Sequence, residues 1–174
     1  SARQADLARR AFYAVLTHVD HQIRLVIGSL REAGLLDNTV IAFTSDHGHM
    51  AGEHGLWCMT PFYEMSAKIP LIVVPAEGDP RLTAGTVDDR IAEYADLYPT
   101  LLDLAGIEIP AHTDRLSLVS GTRRPFLYGE HGEGKAAMRM IRAGAYKLLY
   151  YPVGNRFQLF DIEADPQETT DLAA

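Results

Sequence analysis

The run Thr39-Val40-Ile41-Ala42-Phe43-Thr44 constrains this chain more than any other feature. It is short, β-branched and aromatic, with turn residues Asp37-Asn38 before it and Ser45-Asp46 after it. That pattern predicts a strand buried on both faces, as in a parallel sheet covered by helices. Leu71 to Val74, entered through Pro70, is a second such run. Upstream, residues 5 to 33 place apolar side chains at Leu7, Ala11, Ala14, Val15, Val19, Ile23, Val26, Ile27 and Leu30. Spacings of mostly three and four put them on one core-facing stripe of a long helix. Gly34 is suited to end that helix. Helix, buried strand and polar loop together make half of an α/β repeat.

Residues 75 to 86 are rich in Pro, Gly and Asp and read as a surface loop. Asp96 to Ala105 predicts a helix with Pro99 in its first turn, closed by Gly106 and blocked by Pro110. Beyond Pro110 the texture changes. Phe126–Tyr128, Met138–Arg142, Lys147–Tyr151 and Phe157–Asp161 are short strand-like segments punctuated by Gly144 and Gly154. The expected architecture is α/β: a mixed sheet between helices over residues 1–110, with a small C-terminal α+β subdomain, built on an antiparallel sheet, over 111–174.

A net charge of −7 argues against nucleic acid as the main partner, because phosphate neutralisation needs clustered Lys and Arg. Arg123-Arg124 is too small a basic spot to alter that. Asp161, Glu163, Asp165, Glu168 and Asp171 read as a solvated acidic end. No apolar run approaches the roughly 20 residues a membrane helix needs. The N-terminus lacks a signal-peptide h-region and begins at Ser1, from which a truncated or processed start is expected. The lone Cys58 permits no internal disulfide and is expected to be packed and inert.

The densest chemistry lies in Ser45-Asp46-His47-Gly48-His49-Met50-Ala51-Gly52-Glu53-His54-Gly55. Asp46 and His47 directly follow a strand, where ligands collect in open α/β sheets. A carboxylate oxygen and a neutral imidazole nitrogen there can share one divalent cation. The same residues fit a polar loop in which Asp46 caps a helix. Three His in eight residues, with Glu53 and three Gly, favour a site. His49, Glu53 and His54 are candidates to line a pocket or to orient the ligands. His131, within Gly129-Glu130-His131-Gly132-Glu133-Gly134, reads as a surface-loop residue that could border the same pocket. His18 lies beside the apolar stripe and His21 faces solvent, neither with an evident partner.

Thr44 to Trp57, followed by Phe62 to Val73, resembles the sulfatases of the alkaline phosphatase superfamily. Ala95 to Ile107, Met138 to Tyr151 and Leu159 to Ala173 extend the resemblance in the family's order, and the Tyr13 to Leu30 helix with Asp20 also fits. The resemblance implies an alkaline-phosphatase-like fold and hydrolysis of a small sulfate ester at a divalent metal, with Asp46 and His47 matching a pair of metal ligands. It implies calcium as the usual metal and manganese in the phosphonate branch. The family's nucleophile, a formylglycine made within C/S-x-P-x-R, has no counterpart, since Cys58 is followed by Met59, Thr60 and Pro61. Met59 stands where relatives often carry a Lys, and Lys68 matches a different family position. A phosphate or phosphonate ester hydrolase and a non-catalytic module both remain open. Loss of N-terminal strands would expose apolar edges, so association with itself or with an N-terminal half is expected.

Overall fold

The computed structural model describes residues 1–59 and 62–174. Helix α1 spans Ala2–Glu32. It starts earlier than the apolar stripe because Ser1 and Gln4 form a reciprocal capping box. Gly34, at φ 66°, takes the left-handed turn after it. The expected core-facing stripe is corrected here: no residue of α1 is buried, and Leu7, Val15 and Val26 are each more than half exposed. The reason is that, among the described residues, no other layer is laid along the stripe. Two side chains near its start tie the helix down. Arg9 Nε donates to the carbonyl of Ala51 at 2.6 Å, and the Phe12 ring stacks on His49 at 4.7 Å.

Strand β1 is Ile41–Thr44. The chain then makes a small antiparallel ribbon of β2 (Met50–Ala51) and β3 (Trp57–Cys58), the short helix α2 (Glu64–Ala67), and β4 (Leu71–Val74). β4 returns antiparallel to β1, with Ile41 opposite Val74 and Thr44 opposite Leu71. The parallel pairing expected of two such runs is therefore not what forms. Parallel neighbours are usually joined by a crossover helix, whereas the described residues of 45–70 fold here into the β2–β3 ribbon and the four-residue α2. Nor is either strand buried on both faces. Phe43, Ile72 and Val74 stay exposed because, among the described residues, nothing covers the outer face.

A 3₁₀ turn at Tyr94–Asp96 runs into α3 (Leu97–Leu104). Asp96 is fully buried and gathers the following segment. Its carboxylate accepts from the amides of Glu93 (2.9 Å) and Leu116 (3.1 Å) and from Arg124 Nη2 (2.6 Å). Thr100 Oγ1 accepts from the amide of Leu118 at 2.9 Å. Four antiparallel strands follow in sequential order: β5 (Leu127–His131), β6 (Met138–Ala143), β7 (Tyr146–Tyr151) and β8 (Arg156–Asp161). The expected small antiparallel sheet is thus present, with β5 reaching further than its apolar stretch and including His131.

The principal apolar core joins this sheet to the chemistry-bearing loop. Met140, Leu149, Phe160 and Ile162 pack with Met50 of β2 and with Tyr63. The C-terminal sheet is therefore the wall against which the 45–67 segment is fixed.

Candidate functional site

Asp46 and His47 sit two and three residues beyond the end of β1. Local hydrogen bonds shape the turn. Asp46 Oδ1 accepts the amide of His47 at 2.9 Å, and Ser45 Oγ donates to the carbonyl of His47 at 2.6 Å. The Nδ1 of His47 lies 2.7 Å from the carbonyl oxygen of Gly48. A carbonyl only accepts, so Nδ1 carries the proton. In the neutral ring Nε2 then bears the lone pair, and it lies 3.8 Å from Asp46 Oδ2. The carboxylate and imidazole side chains are 77% and 44% exposed. One oxygen and one nitrogen donor therefore stand side by side and open to solvent. This donor set suits a divalent cation, because the ring is held by its other nitrogen in the manner usual for metal-ligating histidine. Among the described residues no group of three or more His, Cys, Asp and Glu side chains converges as a complete site.

Gly48 places the pair relative to the wall. Its amide donates to the carbonyl of Ser66, in α2, at 2.7 Å. A Cβ at position 48 would lie 2.1 Å from the carbonyl oxygen of Met65, so only glycine allows this approach.

The other candidates have separate attachments. His49 stacks on Phe12 of α1. His54, with φ 53°, stacks on Tyr63 at 4.3 Å and donates from Nε2 to the carbonyl of Gln167 at 2.9 Å, which ties the loop to the C-terminal segment. His131 closes β5 opposite Met138 and is exposed. Among the described residues none of the three is hydrogen-bonded to Asp46 or His47. Glu53 Oε2 accepts the amide of Ala51 at 2.6 Å. Burial pushes the Glu53 carboxyl up, but backbone N–H donors and the charges of Arg9 and His54 outweigh it, leaving a net lowering. Met59 is exposed; Thr60 and Pro61 lie outside the described residues.

Three expectations are corrected. Glu168, read as part of a solvated acidic end, is buried, because its carboxylate meets the buried Lys147 ammonium and the Glu64 amide. Cys58 is exposed rather than packed, since β3 is the outer strand of a two-residue ribbon. His21, expected to lack a partner, has Arg24 Nη2 3.0 Å from its Nδ1 on the next turn of α1.

Sequence reasoning missed a buried charged cluster. Lys147 on β7 is 1% exposed. Its Nζ donates to the carbonyl of Phe62 at 2.5 Å and to Glu64 Oε1 at 2.8 Å, and it pairs with Glu168 Oε1. A signal was available. Strand alternation puts Lys147 on the same face as buried Leu149, so its charge had to find partners inside.

With fold and site described, comparison with known proteins assigns the class. The sequence model described as Sulfatase matches residues 2–107, more than half of the chain. The chain belongs to the sulfatase family. Its fold is of the alkaline-phosphatase type, shared with solved sulfatases, with a small antiparallel sheet at the C-terminal end. Among individual relatives it is 37% identical over 171 residues to an arylsulfatase of Clostridium perfringens, covering 95% of this chain and 36% of that one. It is 39% identical over 175 residues to a choline-sulfatase of Rhizobium meliloti, covering 95% and 33%. The chain thus spans about a third of the length of the curated relatives it matches. A protein solved in complex with its substrate D-glucosamine-2-N,6-O-disulfate superposes with a TM-score of 0.81 at 29% identity, over 91% of this chain and 35% of that one. The phosphonate monoester hydrolase of Agrobacterium radiobacter superposes at 0.79 and 27%, over 95% and 37%.

Proposed function

We propose that this chain supplies one side of the metal-dependent centre of a sulfate ester hydrolase. Asp46 Oδ2 and His47 Nε2 are the two ligands it contributes, to calcium first and to manganese as the alternative. The observation that carries the reading is the held imidazole: Nδ1 is occupied by the Gly48 carbonyl, and Nε2 is turned to the neighbouring carboxylate. A bound cation would neutralise charge on the ester's oxygens. The chain's own part is to hold those two donors in one orientation and to leave them accessible. Nothing in these 174 residues matches C/S-x-P-x-R, so the nucleophile and the remaining ligands come from outside them. His49 and His54, on the same loop, and His131 are assigned to the pocket's border and not to bond making.

The superposition on a phosphonate monoester hydrolase supports a second reading, a phosphonate or phosphate ester on the same scaffold. The unpartnered stripe of α1 and the exposed β1–β4 pair support association with a second polypeptide or another copy. Sedimentation at a single mass near the 19.2 kDa of the chain would count against that.

Calorimetric titration of the chain with Ca²⁺ and Mn²⁺ tests the ligand pair. Saturable binding that is lost in both Asp46→Ala and His47→Ala is expected; equal binding in wild type and both variants overturns it. Assays of the chain mixed with a sulfatase N-terminal polypeptide that carries C/S-x-P-x-R separate the substrates. Aryl sulfate turnover exceeding phenylphosphonate turnover is expected, and the reverse order selects the second reading.

A further inference from the structure

A hydrogen-bonded path leads from the buried ammonium of Lys147 to the imidazole of His47. The ammonium donates to the Phe62 carbonyl and to Glu64 Oε1 and forms an ion pair with Glu168 Oε1. Glu168 is itself buried and held at φ 56°. Its second oxygen, Oε2, accepts the backbone amide of Glu64 at 2.6 Å. The first residue of α2 is therefore gripped twice, once through its side chain and once through its backbone. A four-residue helix has no stability of its own, so this grip decides where it lies. From within α2 the carbonyl of Ser66 receives the Gly48 amide, and the carbonyl of Gly48 receives the Nδ1–H of His47.

Stability alone does not account for the cluster. Buried ion pairs can often be replaced by apolar groups with no loss, because desolvation offsets their attraction. What such a cluster does supply is a single geometry.

We propose that Lys147, Glu64 and Glu168 form a positioning unit that, through α2 and Gly48, holds His47 with Nδ1 protonated and Nε2 free towards Asp46. The unit touches no substrate; it acts through the ligand histidine. The proposal rests on the reading of Asp46 and His47 as metal ligands only for its effect on affinity. Its effect on the ring stands apart from that reading.

The test uses the full chain with ¹⁵N-labelled histidine. Long-range ¹H–¹⁵N spectra of wild type should show the Nδ1–H tautomer at His47. In Lys147→Met and Glu168→Gln that signal should move to a mixture of tautomers while circular dichroism still shows a folded chain. Mn²⁺ affinity should fall about 10–100-fold in the same variants. A folded variant with an unchanged His47 ring overturns the proposal, whatever its affinity. If both variants fail to fold, native-state hydrogen exchange on wild type decides. Equal protection of the Gly48 and Glu64 amides is expected, and independent opening of Gly48 overturns it. If His47→Ala leaves Mn²⁺ binding untouched, the metal reading fails, and the tautomer readout still judges the positioning unit.

Discussion

Replacing Asp96 with Ala tests the claim that one buried carboxylate organises the segment between α3 and β5. Asp96 is 0% exposed and accepts from two backbone amides and the Arg124 guanidinium. Each hydrogen bond to a charged group contributes about 1.5–3 kcal/mol net, so the three together set an upper bound of roughly 9 kcal/mol. The real loss is smaller, because Arg124 keeps an ion pair with Glu93 at 3.1 Å and the 112–124 segment can relax towards water. Breaking a buried, hydrogen-bonded charge pair costs about 3–5 kcal/mol, and that is the loss expected here. It is a large share of a typical domain stability of about 5–15 kcal/mol. Urea unfolding followed by far-ultraviolet circular dichroism reads it directly. With a slope of about 2 kcal/mol per M, the midpoint should fall by about 1.5–2.5 M. Asp96→Asn keeps the shape but turns a donor towards a donor, and should lose about half as much. A midpoint for Asp96→Ala within about 0.3 M of wild type would refute the reasoning.

Two further outcomes are expected. The Arg81 guanidinium and amide beside Asp79 hold its carboxyl down at about 2, against an ordinary 3.8. The folded value is depressed, so the associated stability is present above pH 3.8 and is lost as pH falls towards 2. Arg81→Ala removes the guanidinium and keeps the amide, so the Asp79 carboxyl should rise part of the way towards 3.8 in a ¹³C NMR titration; a midpoint still near 2 would contradict the assignment. Gly48→Ala puts a methyl 2.1 Å from the Met65 carbonyl oxygen. The loop must shift, at a cost of about 1–3 kcal/mol, which is a melting-temperature drop of several degrees; a drop under about 1 °C would show that the approach is not tight.

The amino-acid sequence by itself determined the local elements and the chemical vocabulary of the site. The 3.6-residue and two-residue periods are properties of short stretches, so α1, α3, β1, β4 and the four C-terminal strands were legible from side-chain spacing alone. So was the adjacency of Asp46 and His47, because both sit in one contiguous turn; the need for Gly48 was not, since it comes from the Met65 carbonyl brought against it. Only the tertiary structure decided the direction in which β4 returns to β1, the exposure of the stripe of α1, and the exposure of Cys58. It also decided which nitrogen of His47 is free, since that depends on where α2 holds Gly48. The contacts responsible bridge long separations: Lys147 meets Glu64 across 83 positions, and Glu168 meets the Glu64 amide across 104. Periodicity carries no information about such pairs. It states that a charge on the inner face of β7 must be neutralised, but the neutralising partner is chosen by how the chain closes on itself.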